Sequence, residues 1–131
     1  MKDSENSALL RATPVLKTGD YQRARTFYTD VLGFRLLEEG GDPPRFGIFE
    51  KDKATIFVDG WHGAPKPSDG GWVAYFHTKD VDALHLFFAA VGTPITRALE
   101  DTSYGMREFE ITDPDGNILC FGADSGASAE G

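Results

Sequence analysis

The sequence predicts an α+β fold in which two βαβββ modules follow each other, their strands curving around a crevice and their helices lying on the outer face. Three observations support this prediction. Two apolar helical stripes recur sixty residues apart, each introduced by an aspartate, Asp20 or Asp80, and each preceded by a strand-like run. More strand-like runs follow each stripe, and a segment rich in glycine and proline separates the two halves.

The first module is predicted at residues 10–59. Residues 10–18 have the composition of a strand, and Asp20 then offers a helix N-cap ahead of apolar residues at helical spacing. Gly33 fits the left-handed position that ends a helix. The remaining strands of this module are predicted at 34–39, 45–50 and 54–59.

The second module is predicted at residues 72–122, after a linker at 60–71. A strand at 72–78, the cap Asp80 and a helix closed by Gly92 repeat the first pattern. The two stripes match at an offset of sixty: Tyr21 with Val81, Ala24 with Leu84, Phe27 with Phe87, Tyr28 with Phe88, and Val31 with Val91.

A hairpin at residues 104–121 closes the second module. Its turn reads Asp-Pro-Asp-Gly, in which proline presets φ and the Asp-Gly pair suits a tight reversal. Its strands align with those of the first module at an offset of sixty-three, which matches Phe46 with Phe109 and Ile48 with Ile111.

Composition limits the class of protein. A chain of 131 residues, 40% of them hydrophobic, suits one domain, predicted at 10–122 between flexible ends at 1–9 and 123–131. The net charge of -8 without a basic cluster argues against nucleic-acid binding. No apolar run reaches the roughly 20 residues of a membrane span, and no signal-peptide pattern is found. Together with the single cysteine, this predicts a cytoplasmic protein without a membrane partner.

Strand alternation predicts which side chains face the crevice, because residues of one parity must pack under the helix. In the second module the inward set is Val73, Tyr75, His77, Met106, Glu108, Glu110, Ile118 and Cys120. By repeat symmetry the first module contributes Thr13, Val15, Lys17, Arg45, Gly47, Phe49, Thr55, Phe57 and Asp59.

The chain resembles the glyoxalase/bleomycin-resistance/extradiol-dioxygenase superfamily, also called the vicinal oxygen chelate fold, over residues 10–122. The resemblance is carried by Phe-Tyr-Thr-Asp-Val-Leu-Gly-Phe at 27–34, by Asp-Val-Asp-Ala-Leu at 80–84, and by Arg-Glu-Phe leading into Asp-Pro-Asp-Gly-Asn at 113–117. Metal-dependent members of this family place four ligands, usually His, Gln or Glu, at inward positions. Because this fold hosts unrelated chemistries, the resemblance implies a fold but not one particular activity.

In this chain the four matching positions hold Thr13, Phe57, Val73 and Cys120. These side chains do not supply three donors for a divalent metal, so no metal and no cofactor are predicted. The resemblance then implies the non-catalytic branch, typified by bleomycin-resistance-like proteins that sequester an antibiotic or similar compound in an aromatic crevice, often as homodimers.

The predicted ligand-binding residues combine the inward set with aromatic residues of nearby loops. They are Thr13, Arg45, Phe49, Phe57, Trp61, Val73, Tyr75, His77, Tyr104, Glu108, Glu110 and Cys120. The aromatic members could stack on a flat ligand.

Several of these residues have two interpretations. If Glu108 and Glu110 are free, they make the crevice acidic and favour a cationic ligand; alternatively Glu108 pairs with Arg45, its predicted repeat mate. His77 is either an acid–base group or a structural histidine. Cys120 is interpreted as a small apolar filler rather than a nucleophile, because no neighbour in the sequence lowers its pKa.

Three functions remain open at this point. The leading hypothesis is a metal-free protein that binds a partly aromatic compound without a catalytic step. The second is a metal-dependent glyoxalase-type lyase or isomerase with substitute ligands drawn from His62, His77, Glu108 and Glu110. The third is a fused or regulatory partner module with no ligand of its own.

Overall fold

The computed structural model describes residues 7–66 and 70–125. The first module contains β1 (Val15–Lys17), α1 (Tyr21–Thr26, continued by a π-helical turn Phe27–Val31), β2 (Arg35–Gly40), β3 (Phe46–Lys51) and β4 (Ala54–Asp59). The second contains β5 (Ala74–His77), α2 (Val81–Ala90), β6 (Ile95–Asp101), β7 (Met106–Thr112) and β8 (Ile118–Asp124). The predicted α+β class with tandem βαβββ modules is confirmed.

The predicted flexible ends fall mostly outside this description. Residues 1–6 and 126–131 lie outside the described part of the chain, as do residues 67–69 within the predicted linker. At the other end, β8 continues to Asp124, two residues into the stretch predicted as a tail. Among the described residues, no helix combines the length and apolar character needed to cross a bilayer.

Each module forms its own four-stranded sheet. The strand orders are β1-β4-β3-β2 and β5-β8-β7-β6. In both sheets the first strand pairs in parallel with the last, and the remaining neighbours are antiparallel. A parallel pair needs a crossover, which α1 and the two strands after it provide in the first module and α2 and its strands in the second.

Matching caps start the two helices. The side chain of Asp20 accepts a hydrogen bond from the Arg23 amide, and that of Asp80 accepts one from the Ala83 amide. Both aspartates have extended backbones, as N-cap residues do. The helix starts predicted from the repeat are therefore correct.

The core lies between each sheet and its helix. In the second module Phe88 of α2 packs against Phe109 and Phe121, whose rings stack 5.2 Å apart. In the first module Tyr28 packs against Phe34 and Phe49. The helices thus cover the outer faces of the sheets, and neither helix packs on the opposite, inner faces.

The predicted register of β3 is wrong by one residue. Phe49 pairs with Ile56 in the ladder, both are fully buried, and both belong to the helix-side core. Gly47 also faces α1, since a Cβ there would lie 2.2 Å from the Tyr21 hydroxyl. Phe46 and Ile48 take the inward positions instead. An offset of sixty-two, not sixty-three, relates β3 to β7, because Ile48 pairs with Phe57 as Glu110 pairs with Cys120.

The β7–β8 turn joins the two modules. The Asp113 carboxylate accepts the buried Tyr28 hydroxyl at 2.7 Å and the amides of Asp115 and Asn117. The Asn117 side chain donates to the Lys17 carbonyl at 2.9 Å. The turn therefore shapes its own hairpin and fastens it to α1 and β1 of the first module.

Candidate functional site

The inner face of the first sheet carries an aromatic cluster. Phe46 packs on Phe57 at 5.5 Å between ring centroids and stacks on Trp61 at 5.1 Å with the rings 9° from parallel. Trp61 is still 48% exposed, so about half of its side chain remains accessible from solvent. Two predicted residues, Phe57 and Trp61, thus belong to one cluster, because both contact Phe46. Phe46 itself was not predicted to face the crevice, because the predicted register of β3 was wrong by one residue.

Three other predicted residues lie outside this aromatic cluster. Arg45 precedes β3, is exposed, and donates to the Gly60 carbonyl at 3.1 Å, so it does not pair with Glu108. Thr13 is partly buried just before β1. Val73 is 48% exposed just before β5, where its amide donates to the Ile118 carbonyl.

The inner face of the second sheet is built around one buried carboxylate. Glu108 on β7 has no exposed surface. Its Oε1 accepts hydrogen bonds from the Tyr104 hydroxyl and from Arg97 Nη2 at 2.7 Å, while its Oε2 accepts from the Tyr75 hydroxyl at 2.7 Å. Three donors thus satisfy an anion that burial alone would make costly. We call Tyr75, Arg97, Tyr104 and Glu108 the Glu108 cluster.

Arg97 lies at the centre of a larger charged group. Its Nε donates to Glu110 and its Nη1 to Glu100, at 2.7 and 2.6 Å. The inner face therefore carries three carboxylates and one guanidinium, an excess of two negative charges. Glu108 and Glu110 are ion-paired, as one of the two interpretations held, but with Arg97 instead of Arg45.

Burial and hydrogen bonding oppose each other in this cluster. Burial disfavours the Glu108 anion, but hydrogen bonds from Tyr104, Tyr75 and Arg97 outweigh it and lower the pKa of Glu108 below its ordinary value. Burial and the bond to Glu108 raise the pKa of Tyr75. For Tyr104 the hydrogen bond to Glu108 is the main cause of a raised pKa. Glu108 is thus an anion and both tyrosines are neutral donors at neutral pH.

Sequence reasoning missed Arg97 altogether. It is one arginine on β6, with no neighbouring motif to single it out. The β6–β7 ladder is irregular on both sides of it, between Ile95 and Arg97 and between Arg97 and Glu100. Such irregularities redirect a side chain in a way that strand alternation does not predict.

Cys120 is fully buried beside this cluster. It pairs with Glu110 and with Tyr75 in the ladders, and its Sγ lies 3.9 Å from Arg97 Nη2. Burial, reinforced by the charge of Glu108, raises its pKa to about 12. At neutral pH the side chain is a thiol without nucleophilic character.

The two histidines of interest lie at the margins. His77 is exposed at the end of β5, with its ring 4.9 Å from that of Tyr75. His62 Nδ1 lies 2.6 Å from Asp59 Oδ2. Burial opposes ionisation of Asp59, but hydrogen bonds from His62 and from the Trp61 amide prevail and lower the pKa of this carboxyl group.

The donor set does not fit a divalent metal. The four positions used by metal-dependent members of the resembled family hold Thr13, Phe57, Val73 and Cys120, of which Cys120 is a protonated thiol. In the part of the chain that the structure describes, no three His, Cys, Asp or Glu side chains group in a way that could hold a metal ion.

Comparison with known proteins gave consistent similarities. The model of the Glyoxalase/Bleomycin resistance protein/Dioxygenase superfamily matches residues 12–121. A bleomycin resistance protein from Geobacillus stearothermophilus is 26% identical over 132 residues, covering 86% of this chain and 96% of that protein.

Solved structures share the fold. A glyoxalase/bleomycin resistance protein/dioxygenase from Alicyclobacillus acidocaldarius has a TM-score of 0.74 at 18% identity, covering 87% of this chain and 90% of that chain. The bleomycin-binding protein of bleomycin-producing Streptomyces verticillus was solved with copper(II)-bleomycin. It has a TM-score of 0.68 at 23% identity, covering 90% of this chain and 98% of that chain.

Proposed function

Since the chain belongs to the glyoxalase/bleomycin resistance protein/dioxygenase superfamily, we propose that it is a metal-free binding protein that sequesters a partly aromatic, cationic small molecule without transforming it. The similarity to bleomycin resistance proteins supports the binding of a small molecule, and bleomycin is the compound to test first.

The observation that carries the proposal is the Glu108 cluster. A fully buried carboxylate anion lies under two tyrosines, and the surrounding face has an excess of two negative charges. A cationic group approaching this face would be attracted by the excess charge, while Tyr104, which is 61% exposed, offers an aromatic surface.

The aromatic cluster on the first sheet supports an aromatic ligand. The half-exposed Trp61 is held flat by Phe46 and so can stack on a planar group with little loss of conformational freedom. One wall thus suits rings and the other suits positive charge.

A binding role without chemistry agrees with the state of the reactive groups. Cys120 is a buried thiol, and both oxygens of Glu108 are already occupied by donors. A general base needs an oxygen within reach of substrate, and the Glu108 side chain has no exposed surface.

We further propose a cytoplasmic homodimer. β1 and β5 are edge strands, each with one neighbour in its sheet, and Val15 and Val73 beside these edges are half-exposed. A second copy of the chain could cover these edges and bring an apolar wall against an acidic one. Light scattering on the purified protein would test this, and a monomer at micromolar concentration would contradict it.

Calorimetric titration with copper(II)-bleomycin and with metal-free bleomycin tests the binding function. Trp61→Ala should weaken binding about fivefold or more through loss of a stacking surface. The matched control is Leu86→Ala, an exposed apolar residue on the outer face of α2, which should bind as the wild type does.

The outcome against the proposal is equally clear. If the folded protein binds neither form of bleomycin nor other cationic aromatic compounds, and elemental analysis finds a stoichiometric divalent metal, the metal-dependent lyase or isomerase becomes the better hypothesis.

A further inference from the structure

A cavity lies at the junction of the two modules, beside the helix-side core of the second module. It has a volume of about 550 Å³, within the size range of small-molecule sites. Its walls come from the β3–β4 turn of the first module, the residues after β5, and the helix-side core of the second module. No residue of the Glu108 cluster lines it.

The floor of this cavity is aromatic. Phe34, Phe76 and Phe121 form a continuous series, with ring centroids 6.3 Å apart for the first pair and 5.0 Å apart for the second. Leu84 of α2, which is partly exposed, extends this surface, and the fully buried Phe88 lies behind it. A flat or aliphatic body would bury apolar area here without displacing a polar group.

The rim is basic although the protein is acidic. Lys51, Lys53 and Lys79 line the cavity, half of the six lysines in a chain whose net charge is -8. Among the described residues that line the cavity, Asp52 is the only one with a carboxylate.

These lysines are not neutralised. Five of the seven arginines of the chain are in ion pairs, whereas within residues 7–66 and 70–125 no carboxylate lies within ion-pair distance of Lys51, Lys53 or Lys79. Lys51 Nζ instead lies 5.1 Å from the centroid of the Phe87 ring.

A smaller cavity of about 240 Å³ shares Lys53, Ala54, Phe76 and His77 with the first. It adds Arg11 and also Tyr75, so it reaches the edge of the Glu108 cluster. The positive rim therefore extends along the junction toward the N-terminal segment.

We propose that this junction cavity binds an amphipathic organic anion, a compound with an aromatic or aliphatic body and one carboxylate or sulfonate group. The apolar body lies on the phenylalanine floor and the anionic group is held by the unpaired lysines. Its charge preference is opposite to that of the cationic ligand proposed for the inner faces.

A matched pair of fluorescent probes tests the proposal. 1-Anilinonaphthalene-8-sulfonate carries one anionic group, and N-phenyl-1-naphthylamine has the same aromatic body without it. The wild-type protein should bind the sulfonate at least about tenfold more tightly than the neutral probe. Added salt should reduce this difference in affinity, because it screens the attraction between the lysines and the sulfonate.

Lysine variants locate the site. The double substitution Lys53→Gln with Lys79→Gln should weaken binding of the sulfonate about tenfold and leave the neutral probe unchanged. Lys17→Gln, an exposed lysine of β1 outside the cavity, is the control and should have no effect. Circular dichroism melts establish that all variants remain folded.

In the probe titrations, three results would overturn the proposal: no binding of the sulfonate by the wild-type protein, equal affinity for the two probes, or equal affinity of the sulfonate for the wild type and the double variant. Excess bleomycin should not displace the sulfonate. Displacement would place both compounds in one site and would also overturn it. Failure of bleomycin to bind leaves this test unaffected, so the two proposals can fail separately.

Discussion

Glu108→Gln removes one charge from the centre of the inner face and changes almost nothing else. The glutamine oxygen can still accept from Arg97 and Tyr104, and its amide can donate to the Tyr75 oxygen. Arg97 retains Glu110 at 2.7 Å and Glu100 at 2.6 Å, so its charge is not left unpaired.

The expected loss of stability follows from these contacts. Three hydrogen bonds to a charged acceptor become hydrogen bonds between neutral groups, and each loses about 0.5 to 1 kcal/mol. The free energy of unfolding should therefore fall by about 2 kcal/mol. For a chain of this length, that corresponds to a decrease in Tm of about 8 °C. Glu108→Ala should cost more, about 3 to 4 kcal/mol, because the donors then lose their acceptor entirely.

Urea unfolding followed by tryptophan fluorescence measures these changes. Glu100→Gln is the matched control, since Glu100 binds the same guanidinium but is 58% exposed, and it should cost less than about 1 kcal/mol. Equal losses for Glu100→Gln and Glu108→Gln, or an unchanged stability for Glu108→Gln, would refute the idea that the buried anion organises this face.

The same pair of proteins gives a pH signature. The folded-state pKa of Glu108 lies below its ordinary value, so the anion stabilises the fold fully above about pH 4.5. This contribution is lost as the pH falls through the folded-state pKa. The stability difference between the wild type and Glu108→Gln should therefore be constant from pH 6 to 8 and shrink in acid.

Other predictions concern the groups around this face and the junction. Cys120, whose pKa is about 12, should resist alkylation by iodoacetamide at pH 8 until urea unfolds the chain; rapid labelling of the native protein would contradict its burial. Gly122→Ala would place a Cβ 2.0 Å from the Tyr75 hydroxyl, so the ring must move, and urea titration should show a loss of about 1 to 3 kcal/mol. Tyr28→Phe removes the 2.7 Å bond to Asp113 and should cost about 1.5 kcal/mol by the same measurement; an unchanged midpoint would mean that this bond does not fasten the modules.

Local patterns were enough to predict the helices and the repeat. Asp20 and Asp80 cap their helices through the same side-chain contact, because an aspartate before an apolar stripe satisfies a free backbone amide wherever it occurs. The Asp-Pro-Asp-Gly turn likewise lies between two paired strands, as its chemistry requires.

Register and long-range pairing could not be predicted in this way. The offset between β3 and β7 is one residue shorter than the sequence alignment of the modules suggested. Phe49, which was predicted to face the crevice, therefore lies in the core, since a one-residue slip exchanges the two faces of a strand. Arg97 was missed and Arg45 wrongly chosen because the partner of a buried carboxylate is set by ladder irregularities, which leave no mark in the sequence.

The two hairpin turns occupy the same place in the repeat but have different roles. In the second module the turn at Asp113 is a fastener between the halves, whereas in the first module the short turn at Asp52 and Lys53 forms part of a cavity rim. If the modules arose by duplication, the turn of the second module is constrained by its contacts with the first module, whereas the sequence of the other turn can vary. Directed evolution of new ligand preferences should therefore tolerate mutations in the first turn and reject them in the second.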